Sequence, residues 1–327
     1  MDIDYLLFLQ DLRNGALGFL APIMSWFTEF SVSALTVLLV PLIYLVFDRK
    51  NGKRLLCGMG LCYLLNGILK LCCCVYRPWI RDTRIEPWGN AKVDATGYSF
   101  PSGHATAATS RYGSAAIWTW SKKRWISIIF FLLILITMFS RNFLGVHTPQ
   151  DVLVGCISSF LMLFVGFQLE KWSDKNPKRN DLIIMLAGLC LAVILIIFFT
   201  IKSYPLDYTE SGALLVDPKS MINDSYEGLG FLVGYCISRF FERRGFDFEA
   251  IDWKERFVIT VFAFIPLCWW YSHIVSIFTD FGLRFVGKFL QTSMIPFYTM
   301  IVVPFIMKKV DESGLMEKIT NKIKVSN

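Results

Sequence analysis

Two histidines, one aspartate and three cations in this chain fall at spacings suited to work on phosphate. Lys70 is followed seven residues later by Arg77-Pro78; Pro101-Ser102-Gly103-His104 comes next; Ser140-Arg141 is followed by His147 and then Asp151. Arginine offers a planar fork to a tetrahedral oxyanion and lysine a compact point charge, so Lys70, Arg77 and Arg141 suit a phosphate dianion. Ser102 and Gly103 open a helical pattern. Free backbone N–H groups and the helix dipole attract anions there, and a glycine lets the backbone come close. Two histidines allow a division of labour, in which one attacks phosphorus and the other protonates the leaving oxygen. Asp151, four residues after His147, is placed to accept its ring N–H and fix its tautomer. The same spacing also reads as a helix start, with Thr148 as N-cap, Pro149 at N1 and Asp151 at N3. The capping and orienting roles are compatible. Ser102 reads equally as a cap and as a phosphate ligand.

The elements that must position these residues are membrane helices. Hydrophobic residues make up 54% of 327 and charged residues 18%, whereas soluble domains usually carry about 25% charge. With 29 Phe, 12 Tyr and 10 Trp the chain is far too aromatic to be disordered. A bilayer core needs about 20 apolar residues per helix. Nine segments qualify, at 31–48, 54–76, 102–120, 125–140, 149–170, 182–202, 226–242, 255–275 and 288–307, with 102–120 the least apolar. The expected fold class is all-α, a polytopic transmembrane helical bundle. With nine spans, alternate connections hold 21 and 10 of the Lys and Arg residues; the richer set includes Arg244, Lys318, Lys322 and Lys324. The excess places the C-terminus in the cytoplasm and the N-terminus outside. The net charge of +7 is therefore a topology signal and not a sign of nucleic acid. Every residue of the phosphate constellation then falls at a helix end on the outer face. Lys70, Arg77 and Arg141 are the basic residues that orientation does not explain.

The chain divides into an N-terminal outer interfacial helix and re-entrant segment (1–30), a catalytic transmembrane core (31–180), additional transmembrane helices (181–307) and a cytoplasmic tail (308–327). Residues 3–13 read as an amphipathic helix on the outer interface. Gly18 and Pro22 interrupt the run at 15–30, and Trp269, Trp270 and Tyr271 mark an aromatic belt that includes His273. No cleavable leader is expected, because Asp2 and Asp4 stand where a basic region would. The nine cysteines read as buried free thiols. Cys72, Cys73 and Cys74 point about 100° apart on a helix and cannot converge on one ion. Arg81, Arg84 and Lys92 are expected to pair in solvent with Asp82, Glu86 and Asp94. Arg111 is expected to pair inside the bundle. Trp79, Trp88 and Tyr98 read either as interface anchors or as the lining of a headgroup pocket. The run from Asp311 to Lys324 reads as a cytoplasmic helix.

Lys70-x6-Arg77-Pro78, Pro101-Ser102-Gly103-His104 and Ser140-Arg141-x5-His147-x3-Asp151 together resemble the three signatures of the type 2 phosphatidic acid phosphatase superfamily, with no departure in any of them. The motifs cover 70–151, and the membrane layout extends the likeness to about 1–170. The resemblance implies that His147 is the nucleophile and forms a phosphohistidine, that Asp151 orients it, and that His104 protonates the leaving group and then activates water. It further implies that Lys70, Arg77, Arg141, Ser102 and the Gly103 backbone hold the phosphate, and that no metal or other cofactor is needed. The nine-span layout is also similar to the glucose-6-phosphatase branch, as, less specifically, are Gly228 to Gly234 and Ser293 to Pro296.

The expected activity is a metal-independent phosphatase of the plasma membrane, with its site extracytoplasmic. The expected partner is a phosphorylated lipid in the bilayer, of phosphatidic acid, phosphatidylglycerophosphate or polyprenyl diphosphate type. A soluble sugar phosphate, or phosphotransfer to an acceptor other than water, is the alternative. A transporter would need polar or broken-helix sites near mid-membrane, and a non-catalytic lipid-binding relative would lack one of the two histidines. Oligomeric state is left open.

Overall fold

The computed structural model describes residues 2–94, 97–209, 211–243, 245 and 248–314. Arg244 and the segment of the tail that carries Lys318, Lys322 and Lys324 lie outside the described residues, as does most of the run expected to form a cytoplasmic helix. The described residues form eleven principal helical units. They are α1 (Asp2–Asn14), α2 (Leu20–Val32), α3 (Ala34–Phe47), α4 (Arg49–Cys73), α5 (103–120), α6 (Arg124–Phe143), α7 (Pro149–Ser173), α8 (Pro177–Ile201), α9 (Pro218–Glu242), α10 (Trp253–Asp280) and α11 (Arg284–Glu312). A single bridge between Tyr208 and Leu214 is the only β pairing among them.

Six helices are long and apolar enough to cross a membrane. These are α4 (continued by a short turn to Arg81), α6, α7, α8, α10 and α11. The bent pair α2 and α3, joined at 43°, would make a seventh. The expectation of nine is thus not met by length and composition. The two segments that fall short, 102–120 and 226–242, are helices nonetheless. Their surfaces are buried by other helices: Thr106, Ser110, Arg111 and Ser114 on α5, and Ser225, Ser238, Arg239 and Glu242 on α9, are all inside. A helix enclosed by protein need not present apolar side chains to lipid. The outward faces behave oppositely. Ile157 and Phe164 on α7 and Ile194 and Ile201 on α8 are exposed apolar residues on the bundle's exterior.

Close helix contact depends on glycine at two seams. Gly166 of α7 lies against the backbone of Gly58 on α4, and Gly230 and Gly234 of α9 lie against the Phe289 and Ser293 backbones on α11. A Cβ at any of these positions would collide with backbone, so small residues set the helix spacing as they do in other membrane bundles. The Gly228–Gly234 stretch therefore has a packing role.

The cysteines are all free, but they are not uniformly buried. Cys57, Cys62 and Cys236 are inside, whereas Cys72, Cys73 and Cys190 are exposed. A thiol on the outside of a membrane bundle meets acyl chains, so exposure does not carry the penalty it would in a soluble protein. Residues 3–13 are helical as expected, with Leu6, Leu9 and Arg13 turned inward. Arg13 donates to the carbonyls of Phe143 and Glu86, which ties α1 to the end of α6.

Candidate active site

The site is built where several helices end together. Helix α4 stops at Cys73 because Cys74 adopts a left-handed conformation with φ 49°. This is three residues earlier than the apolar pattern suggests. Lys70 thus stands in the last helical turn, while Arg77 stands in the turn beyond it, immediately before Pro78 opens a short helix. Lys70 Nζ donates to the Tyr98 carbonyl at 2.9 Å. Arg77 Nε donates to the Gly97 carbonyl and Nη1 to the Val146 carbonyl, each at 3.1 Å. Carbonyl oxygens thus fix the cations without cancelling their charge.

His147 lies in the tight connection between α6 and α7 and is 2% exposed. Its backbone N–H reaches the Arg141 carbonyl, and its own carbonyl accepts from Asn142 Nδ2 at 2.8 Å. The ring is held from both sides. Nδ1 faces Asp151 Oδ2 at 3.5 Å and Ser99 Oγ at 3.4 Å, while Nε2 is 2.8 Å from Arg77 Nη1. These partners favour the tautomer with the proton on Nδ1 and the lone pair on Nε2. Burial, and then the adjacent Arg77 charge, hold the His147 ring well below the ordinary histidine pKa, so it is neutral near pH 7.

Asp151 caps a helix and also faces the His147 ring. Thr148 caps α7 with Pro149 at N1, and a full capping box links Thr148 and Asp151. The same carboxylate oxygen, Oδ2, accepts from the Thr148 N–H at 2.8 Å and from Ser99 Oγ at 2.6 Å while facing the His147 ring. Ser102 is the N-cap of α5, its Oγ accepting from the Ala105 N–H at 3.4 Å, and its own N–H donates to the Asp151 carbonyl at 2.9 Å. Gly103 follows with nothing within 4 Å of where a Cβ would stand, so the helix start is open to a ligand.

His104 and Arg141 meet at a residue outside the three motifs. Glu29 Oε1 lies 3.3 Å from His104 Nε2 and 3.9 Å from Arg141 Nη1. Sequence reasoning passes over Glu29 because it sits in the weak run at 15–30; an ionisable group in an apolar stretch was the available signal. Ser99 and Asn142 were missed as well, although both adjoin the motifs. Lys70, Gly103 and His104 line one cavity of about 390 Å³. The contacts therefore form two sets, Lys70–Tyr98–Ser99–Asp151–His147–Arg77 and His104–Glu29–Arg141, linked where the His147 N–H donates to the Arg141 carbonyl. Among the described residues no group of three or more His, Cys, Asp or Glu converges as a metal site would.

The remaining polar residues find partners of their own. Arg111 is buried and bonded to the Tyr63 hydroxyl, the Ser31 carbonyl and Thr36. His273 stacks on Trp269 and bonds its carbonyl within α10. Arg81 pairs with Asp2 and Arg84 with Asp82 in the loop, where the Arg84 hydrogen bonds lower the Asp82 pKa to about 2. Tyr98 is fully buried and Trp88 packs against Leu144 and Val146; Trp79 sits beneath the Arg77 guanidinium.

The model of the PAP2 superfamily matches residues 51–175, a range that contains all three motifs. Among curated proteins, phosphatidylglycerophosphatase B of Bacillus subtilis is 32% identical over 171 residues, covering 48% of this chain and 76% of the relative. Undecaprenyl-diphosphatase of Sulfolobus acidocaldarius is 27% identical over 48% of this chain and 70% of its own length. Lipid A 4'-phosphatase of Bacteroides thetaiotaomicron is 27% identical over 50% and 80% respectively. No solved structure is similar at a significant level. Family model, relatives and the clustered motif residues agree, and the chain belongs to the PAP2 superfamily.

Proposed function

We propose that this protein is a membrane phosphatase that hydrolyses a lipid phosphate through a phosphohistidine at His147. The observation that carries the reading is the ring of His147, with Nδ1 facing Asp151 and Nε2 beside the Arg77 fork. When the substrate phosphate replaces Nε2 as the partner of Arg77, with Arg141, Lys70, Ser102 and the Gly103 N–H group as further ligands, the Nε2 lone pair faces phosphorus. The N–P bond forms as the ester P–O bond breaks, and His104 gives its proton to the departing alkoxide. Glu29 Oε1, 3.3 Å from His104 Nε2, holds the orientation of the His104 ring for this step. A water then loses a proton to His104 and attacks phosphorus. The N–P bond breaks, and inorganic phosphate leaves with His147 restored. The cations carry the charge stabilisation in both displacements, so no metal is required.

The substrate class rests on the relatives, whose names span a phosphatidylglycerophosphatase, an undecaprenyl-diphosphatase and a lipid A phosphatase. We further place α5 and α9 across the membrane with the seven candidate spans. The basic excess then orients the nine crossings with the N-terminus and active site outside the plasma membrane and the C-terminus in the cytoplasm.

The test uses the full chain in lipid nanodiscs with EDTA present. Phosphate release from phosphatidylglycerophosphate, and an acid-labile phosphoenzyme absent from His147→Ala, are expected. Activity lost to EDTA, or retained by His147→Ala, overturns the mechanism.

A further inference from the structure

The cavity beside the phosphate site has a second wall, contributed by the additional helices. Helix α9 supplies Asp224 and Glu227, α10 supplies Tyr271, and α11 supplies Lys288 and Gln291, opposite Asn66 and Tyr63 of α4 and Arg111 of α5. Its roughly 390 Å³ falls within the range of small-molecule sites. Most of the side chains this wall supplies are polar, with Met221 of α9 among them as an apolar member. Polar groups enclosed in a membrane bundle are costly and mark functional sites by default.

These groups have largely satisfied each other's charge. Lys288 pairs with Glu227 and Asp224, and Arg284 pairs with Asp224. The two carboxylates are thus balanced by two cations, while Lys70 and Arg111 also line the cavity. Hydrogen-bonding capacity remains. Gln291 Nε2 donates to the Tyr271 carbonyl at 2.6 Å, leaving its amide oxygen without a protein partner among the described residues. Asn66 Nδ2 donates to Thr106 Oγ1 at 2.9 Å, which likewise leaves its amide oxygen over. Within the wall, Thr292 Oγ1 donates to the Glu227 carbonyl at 2.7 Å and the glycine seam holds α9 against α11, while Gly228 of α9 lies against the Leu64 backbone of α4.

We propose that this chamber receives the alcohol side of the substrate and selects a polyhydroxylated leaving group, such as a glycerol or sugar moiety, borne by a lipid or free. The proposal rests on the phosphatase reading above. Hydroxyls can donate to the Asn66 and Gln291 amide oxygens and to the Asp224 and Glu227 carboxylates. An isoprenoid chain would strand those groups without partners. Among the substrate types considered, the chamber therefore favours a polyol phosphate and disfavours a polyprenyl diphosphate.

The test measures kcat/KM of the full chain in nanodiscs on phosphatidylglycerophosphate, on free glycerol 3-phosphate and glucose 6-phosphate, on octyl phosphate and on farnesyl diphosphate. His147→Ala serves as the blank. At least one polyol phosphate should exceed octyl phosphate and farnesyl diphosphate by about tenfold or more, and the lipid and free arms tell the two sources apart. Gln291→Leu and Glu227→Gln should each lower the polyol-to-octyl ratio by about tenfold. Melting temperatures identify a variant that has failed to fold, and the other variant then decides. A ratio unchanged in the folded variants, or farnesyl diphosphate as the best wild-type substrate, overturns the proposal while leaving the phosphatase reading intact. Absence of His147-dependent release from every substrate overturns both.

Discussion

The two ends of the bundle hold buried cations in opposite ways. At the motif end, Lys70 and Arg77 are fixed by backbone carbonyls, and the carboxylate nearest them, Asp151, is taken up by Thr148, Ser99 and the His147 ring. At the far end, Arg239 lies fully buried between Glu170 and Asp181, and Arg49 and Lys53 converge on Glu242. The first arrangement orients charge through neutral backbone acceptors. The second neutralises charge and locks α7, α8 and α9 together. Residue type is the same at both ends; the partner decides whether an arginine acts in binding or in architecture.

Four substitutions would break or sharpen that contrast. His147→Ala removes the nucleophile and should lower phosphate release on the order of 10⁴-fold or more, read as kcat on any accepted substrate. A residual rate within tenfold of wild type would mean that the motif end does no covalent chemistry. Arg239→Met leaves Glu170 buried without its cation and should cost about 3–5 kcal/mol in denaturant or thermal unfolding. Its specific activity per folded molecule should stay near wild type. Arg77→Met should do the reverse, with activity down about 10²–10³-fold and a small change in melting temperature. If Arg77→Met instead unfolds the protein and Arg239→Met silences it, the contrast is wrong. Glu29→Gln should have the smallest effect, about tenfold in kcat, because it loosens the contact that orients the His104 ring without removing a reacting group. An unchanged rate in that variant would leave the His104–Glu29 contact with no part in turnover.

Much of this was legible in the sequence, because the motif residues sit where local rules apply. Thr148-Pro149-x-Asp151 announces a helix start, and the capping box forms as expected; Arg111 inside an apolar segment announces an internal partner, and it finds Tyr63. Features set by distant packing were not legible. Glu29 lies 75 residues from His104, and no periodicity connects them. The crossing count depends on packing in the same way. Whether 102–120 or 226–242 needs an apolar surface depends on which helices surround it, and that is a tertiary fact. Gln291 carries no local signal, and Glu227 only that of an ionisable group at the start of an apolar segment; that both line one cavity with Asn66 is a tertiary fact. The exposed cysteines show the converse, because apolar context predicts burial only when the solvent is water.

The glycine seam between α9 and α11 has a consequence for descent. Backbone contact at Gly230 and Gly234 sets the spacing of those two helices, while side chains on neighbouring turns, Glu227 and Lys288 among them, set what the chamber can hold. Spacing and chemistry are thus encoded at separate positions. A lineage that keeps the seam can exchange one chamber side chain at a time and change its leaving group while the helices stay in register.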